Sequence, residues 1–431
     1  MIKITLKEYW KELFVILITL ISIFHPIISP TILFLVLLYL QIKKCSLLVN
    51  AYTFIVFFRT IIGSLLIGEY GIRGFGGLAY IIGLFLLTPY FIKDFHKIKK
   101  GLYVFIIICL YFLISCISNG YEQIPFQKWT TFSLDGIVYY LLLCILFIRR
   151  RDINYYQIAI YSIAWSFILL YIVEKTSNLI PPINIFDVGF YRFQVQDFMY
   201  DIELEKGAIF LHYQVFGFFA LLGMTLMMMQ NLERKKQNIF VVICIILTFL
   251  LTLYTGARQF IIINAVLTLL FVALGLKNIK AIVFTSILIF IIIATGSLGV
   301  FDLLFENVNE SGIIEGSGRL PLVEKAYNDI GNFPIFGIGF GHFNLKGIYC
   351  FPHNIFLEIL STTGFVGMFF LILTFISYNK DIWISIFKNK YGYWIYPFVF
   401  LLLRACISQP LESNVILFSF LLAIPYIKYQ E

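Results

Sequence analysis

Residues 238–254 read NIFVVICIILTFLLTLY. The run carries no charge, and a helix built from it is apolar on every face, so it must lie buried or in lipid. A run of this length fits a bilayer crossing, which takes about 17–25 apolar residues. Thr255-Gly256-Ala257-Arg258-Gln259 follows, and a second apolar run then continues to Gly275. So few residues between two such runs leave room only for a tight turn, with Arg258 at its edge.

The rest of the chain repeats this pattern. Of its 431 residues, 60% are hydrophobic and 13% charged, against about a quarter charged in ordinary soluble domains. Hydropathy marks about fourteen spans, with cores near 12–24, 27–41, 46–67, 75–92, 101–118, 132–148, 154–174, 208–229, 238–254, 259–275, 279–297, 353–377, 393–408 and 411–427. The first two are short and share His25-Pro26; read as a partial hairpin, they leave about twelve full spans. The predicted fold is all-α, a polytopic membrane helical bundle of about 12–14 transmembrane helices with two long outer loops. It forms a single integral membrane domain over residues 1–431. No cleavage site follows the first run, which reads as a retained signal anchor.

Basic residues orient the bundle. With the N-terminus in the cytoplasm, 21 Lys and Arg fall on the inner side and 9 on the outer side, with Arg59 and Arg404 inside spans. That asymmetry follows the positive-inside rule and predicts cytoplasmic termini. The net charge of +8 therefore reports topology, not nucleic-acid binding. The seven cysteines lie mostly in apolar runs and form neither a disulfide framework nor a metal-ligand pattern.

Two outer loops are long, 175–207 and 298–352. In the second, Leu322, Val323, Ala326, Tyr327 and Ile330 recur at helical spacing between Pro321 and Gly331-Pro334, which predicts an amphipathic helix on the outer face or over a cavity. Gly337-x-Gly339-x-Gly341 follows. With no strand before it and no βα unit after it, this reads as a flexible turn and not a dinucleotide loop.

Ionisable residues within spans are costly and mark either functional sites or structural pairs. Arg59, Asp135, His212, Glu358 and Arg404 all fall near outer ends of spans, within about 12 Å of the surface at 1.5 Å per residue. Their shared depth predicts an outward-opening polar cavity. An Arg fork such as Arg258 suits phosphate oxygens; a snorkelling Arg at a helix start is the alternative. His353 opens a span beside Asn354, with Glu358 one turn on. Near arginines a neutral His suits general-base work; otherwise it is a helix-start hydrogen-bonding residue. His342 reads as structural.

Taken together, Gly256-Ala257-Arg258, Arg319, Pro334-x-Phe-Gly337-x-Gly339, and His353-Asn354 with Glu358, Gly364 and Gly367 resemble the O-antigen ligase/O-antigen polymerase superfamily. Ala257 stands where that family more often has Ser. The resemblance covers Thr255 to Gly367 and implies a metal-independent, cofactor-free glycosyltransferase in the cytoplasmic (inner) membrane, facing the periplasm or exterior. Its expected substrates are undecaprenyl-diphosphate-linked oligosaccharides as donor and acceptor, with a chain-length regulator as a further partner. The resemblance implies catalytic roles for His353, Arg258 and Arg319. Arg192, Arg59, Arg404, Asn354, Glu358 and His212 are the expected substrate-binding set. Polymerase is the favoured activity, ligase the alternative acceptor choice, and a lipid-linked oligosaccharide flippase the rival class.

Overall fold

A computed structural model describes residues 30–59, 66–67, 70–71, 73–176, 183–184, 189–190, 209–210, 214–233, 239–254, 258–275, 320–345, 348–387, 395–407 and 410–430. The expected spans at 12–24 and 279–297, most of the 175–207 loop and residues 298–319 of the second long loop lie outside the described residues. The helices are α1 (Pro30–Lys44), α2 (Leu47–Tyr52), α3 (Arg73–Ser118), α4 (Gln123–Ile148), α5 (Tyr155–Thr176) and α6 (Gln214–Glu233). They continue as α7 (Ile239–Tyr254), α8 (Arg258–Gly275), α9 (Leu320–Asn332), α10 (Ile355–Phe387), α11 (Ile395–Ile407) and α12 (Val415–Ala423). The strands described have two residues each, including the hairpin of β1 (Asn344–Leu345) and β2 (Ile348–Tyr349). Long apolar helices with almost no strand make this an all-α polytopic membrane protein.

The chain forms two compact units, one from Met1–Leu87 and Ile153–Leu304, the other from Thr88–Asp152 and Phe305–Glu431. In the first unit, Gly223 lets α6 approach α5, where an added Cβ would sit 2.8 Å from Ser162 Oγ. Small residues allow this in membranes, because packing rather than water expulsion drives association there. The buried Gln41 bridges two other polar groups of this unit: Trp165 Nε1 donates to Gln41 Oε1 at 2.6 Å, and Gln41 Nε2 to Thr53 Oγ1 at 2.6 Å. A π-helical turn, Thr53–Phe58, follows α2 and leads into Arg59.

The second unit is built on α4 and on the part of α3 from Thr88 onward. Asp94, Ile98, Phe105, Ile108, Phe112 and Ser115 are buried on one stripe of α3 at the three- and four-residue spacing of a packed face. Gly101 belongs to the same stripe and makes room for three tyrosine hydroxyls. Tyr140 donates to the Ile98 carbonyl at 2.6 Å, and Tyr426 lies 2.9 Å from Tyr140 and 3.0 Å from Tyr378. Asp94 is 1% exposed and accepts from Lys97 at 2.8 Å and from Arg149 Nε and Nη2 at 2.9 and 2.7 Å.

One expectation is corrected here. Spans 75–92 and 101–118 were to be separated by a loop at Lys93–Lys100, but α3 runs unbroken through all of it. At 1.5 Å per residue the helix is about 70 Å long. Lysine is a good helix former, and the pairing of Asp94 with Lys97 and Arg149 holds the charged turn in helical form. The basic segment interrupts the apolarity without reversing the chain.

Candidate active site

The His353 end of the second unit begins where the β1–β2 hairpin returns to α10. His353 is the one non-glycine residue with positive φ (54°) among the described residues. That region is sterically unfavourable for a side-chain-bearing residue, and such conformations gather at functional sites. The ring of Phe351 lies 4.2 Å from the His353 ring, centroid to centroid. Asn354 follows as the cap of α10: its Oδ1 accepts from the Phe356 N–H at 2.9 Å and the Leu357 N–H at 3.2 Å, two donors the helix start leaves open.

One turn further, Glu358 is 3% exposed. Its Oε2 accepts the Leu411 N–H at 2.8 Å, which ties α10 to the short 3₁₀ turn before α12. Lys128 and Glu412 are the charged groups that act on it, and they lie 3.4 Å apart. Arg404 is buried in α11, with the Tyr139 phenol close enough to act on its charge.

Beyond Glu358, α10 breaks. Ser361, Thr362 and Thr363 each turn a hydroxyl back onto the carbonyl of residue 358 or 359, a habit that bends helices. Gly364 then takes φ 64° and ψ −170°. In an unbroken helix, the N–H groups of Phe365 and Val366 would bond to the carbonyls of Ser361 and Thr362. Here they donate instead to Pro334 O at 2.8 Å and Ile335 O at 3.1 Å. The carbonyls they abandon accept from Ile338 N at 2.9 Å and Gly339 N at 2.8 Å. The Pro334–Gly339 segment thus closes the backbone account of a broken helix, as burial away from water requires.

The glycines make that exchange fit. A Cβ on Gly364 would lie 2.3 Å from Ile335 O, and one on Gly337 2.4 Å from the Thr362 carbonyl carbon. Both residues have positive φ. The glycine segment is therefore a close-fitted wedge and not the flexible turn that its sequence suggests. Phe340 continues it into the core, 4.7 Å from the Phe112 ring and nearly parallel to it. The Phe340 N–H donates to Ser115 Oγ at 3.1 Å, and His342 Nε2 lies 2.9 Å from the Cys116 carbonyl. His342 is thus an anchor for the wedge.

The second unit brings His353, Asn354, Glu358 and Arg404 into one compact body. In the first unit, Arg59 lies over the Tyr80 ring, 5.2 Å from its centroid. Arg258 is the first residue of α8. Arg192, His212 and Arg319 lie outside the described residues. Sequence reasoning passed over Lys128 and Glu412, although a charge at each of two neighbouring span starts was a usable signal. It named Gly337 and Gly364 as motif residues but missed their pairing, which leaves no trace in local sequence apart from the Ser361-Thr362-Thr363 run. Among the described residues, no three His, Cys, Asp or Glu side chains come together as metal ligands. Cys350, beside the site, is half-buried and its thiol pKa is raised by that burial, so it is a poor nucleophile.

Comparison with known proteins bears on the same region. No curated protein matches the chain. Residues 239–372 match the model of a family described as O-antigen ligase. That segment includes Arg258, Arg319, the wedge, His353, Asn354 and Glu358. The match supports the O-antigen ligase/O-antigen polymerase superfamily, which is the family that the motifs from Thr255 to Gly367 resemble.

Proposed function

We propose that the protein is a surface-polysaccharide (O-antigen) polymerase. In this reading it joins undecaprenyl-diphosphate-linked repeat units at the outer face of the cytoplasmic membrane. The observation that carries the proposal is the family match over residues 239–372, whose members are glycosyltransferase-like enzymes acting on lipid-linked glycans in a membrane.

In the proposed step an acceptor hydroxyl attacks the anomeric carbon of the donor. The new C–O bond forms as the bond to the lipid diphosphate breaks, and the diphosphate leaves with the bonding pair. Arg258 and Arg319 neutralise that developing charge, a task that suits guanidinium forks in a low-dielectric site. His353 orients the acceptor hydroxyl or takes its proton. Its left-handed backbone, held between Phe351 and the capped start of α10, supports a fixed direction for the imidazole. Asn354 caps α10 and so sets where His353 stands, while Glu358 braces the same turn from behind through Leu411. Arg192, Arg59, Arg404 and His212 are assigned to the glycan and the lipid diphosphate. All four lie outside the matched segment, so only the sequence reading supports them. A chain-length regulator is the proposed protein partner.

A second reading, ligase, is favoured by the description of the matched family. It keeps the same chemistry and replaces the acceptor by lipid A-core. Gel analysis of surface polysaccharide from a deletion strain separates the readings. Polymerase predicts collapse of the ladder to a core-plus-one-unit band. Ligase predicts loss of all decoration, with lipid-linked polymer accumulating. Loss of even a single exported unit, with no lipid-linked polymer, would point to a flippase and contradict both.

A further inference from the structure

The wedge has a face that the chemistry above does not use. Phe333, Ile335 and Phe336 are exposed, Phe336 by 69%, although they belong to a turn whose backbone is bonded to the middle of a membrane helix. Below the break, α10 exposes Phe365, Val366, Phe369, Ile372, Leu373 and Ile376. Their spacing of one, three or four residues is a single helical stripe. A stripe of that composition on an apolar helix faces lipid. The exposed turn joins its upper end, because Pro334 O and Ile335 O accept from Phe365 N and Val366 N.

The depth of that junction follows from helix geometry. The apolar helix from Ile355 to Lys380 is about 37 Å long at 1.5 Å per residue, so it exceeds a hydrocarbon core of about 30 Å. With the exposed Lys380 at one boundary, Phe365 stands about 22 Å above it and about 8 Å inside the other. Five backbone groups of the turn are bonded within the protein, which lowers the cost of placing them in hydrocarbon. Phe333 N donates to Asp329 O at 2.8 Å, Gly337 N to Phe333 O at 3.0 Å, and Pro334 O and Ile335 O accept from α10.

We infer that Phe333–Phe336 is a re-entrant tip seated among bilayer acyl chains, with Phe333, Ile335 and Phe336 extending the lipid-facing stripe of α10. The segment read from sequence as part of a long outer loop is thereby anchored in the membrane. The amphipathic helix α9 leads into this tip, and the β1–β2 hairpin and His353 follow the wedge on its other side. A lipid-seated tip would hold both flanks to the bilayer boundary.

The inference is tested by nitroxide labels on the full chain reconstituted in phosphatidylcholine–phosphatidylglycerol vesicles, after Cys45, Cys350 and Cys406 are replaced by serine. Labels are placed in turn at Phe336→Cys, at Phe369→Cys as the lipid reference and at Glu324→Cys as the water reference. Power saturation with oxygen and with a water-soluble nickel chelate reads the depth of each. The expected result is that the Phe336 label, like that at Phe369, is relaxed more by oxygen than by nickel, while that at Glu324 shows the reverse. A Phe336 label relaxed mainly by nickel would put the tip in water and overturn the inference. One shielded from both reagents would mean that protein, such as a second copy of the chain, covers the tip, and would overturn it equally.

Discussion

The two ends of the second unit solve one problem, how to seat polar groups among apolar helices, by opposite means. At the Asp94 end, side chains do it. Asp94 is held by Lys97 and Arg149, Tyr140 and Tyr426 both donate to the Ile98 carbonyl, Tyr426 accepts the Gly101 N–H, and Arg150 reaches the Ile427 carbonyl. At the His353 end, main chain does it. The wedge exchanges four backbone hydrogen bonds with a broken helix, and the residue beside the cap of α10 stands in a left-handed conformation. The first arrangement draws on several side chains and, among the described residues, places no non-glycine residue in a left-handed conformation. The second works only with glycine at defined points and stores strain at a histidine, which is the pattern of a site shaped for a task.

The most forceful way to break that contrast is Gly364→Val. A side chain there meets the Ile335 carbonyl and must hold positive φ, so it should cost at least about 3 kcal/mol. The loss would show as a collapse of thermal stability in detergent. If the variant melts like the parent, the wedge does not occupy the break. Arg149→Leu probes the other end. It leaves the buried Asp94 carboxylate with Lys97 alone and should cost roughly 3 kcal/mol. Because the damage is remote from His353, the purified variant should keep its specific activity at low temperature; loss of turnover without loss of stability would show that the two ends are not divided in this way.

Asn354→Ala sharpens the comparison by about 1 kcal/mol. It frees the Phe356 and Leu357 N–H groups, and Asn354→Ser should recover most of the melting temperature. An equal effect from both changes would argue against a capping role. The smallest effect belongs to Gly331→Ala in α9. Nothing lies within 4 Å of its added Cβ, so the change should raise stability by about 0.5 kcal/mol. A clear loss in thermal melting would mean that this glycine, too, is constrained.

These regions also differ in how far they were legible. Residues 238–254 and their like announce membrane helices through composition alone, because lipid admits no other spanning solution for such a run. Asn354 at a helix start and the amphipathic spacing of 322–330 belong to the same readable kind, since local chemistry decides them. The wedge was not legible. Its glycines are explained by the Thr362 and Ile335 backbones, more than twenty positions away, and nothing adjacent to Gly337 or Gly364 names the partner. The continuity of α3 was missed for a related reason. A basic cluster signals a membrane boundary, but helix propensity and the distant Arg149 decide whether the chain turns there.

Glycosyl transfer at the His353 end is the central claim, and purified protein with a polyprenyl-diphosphate-linked oligosaccharide as donor and acceptor tests it most directly. Single-turnover product formation would be compared between the parent, His353→Ala and His353→Gly, with melting temperature measured on the same samples. The account predicts that both variants lose at least about a hundredfold in rate. It predicts also that His353→Gly melts higher than the parent by about 1 kcal/mol of relieved strain. Parent-like product from either variant would contradict it.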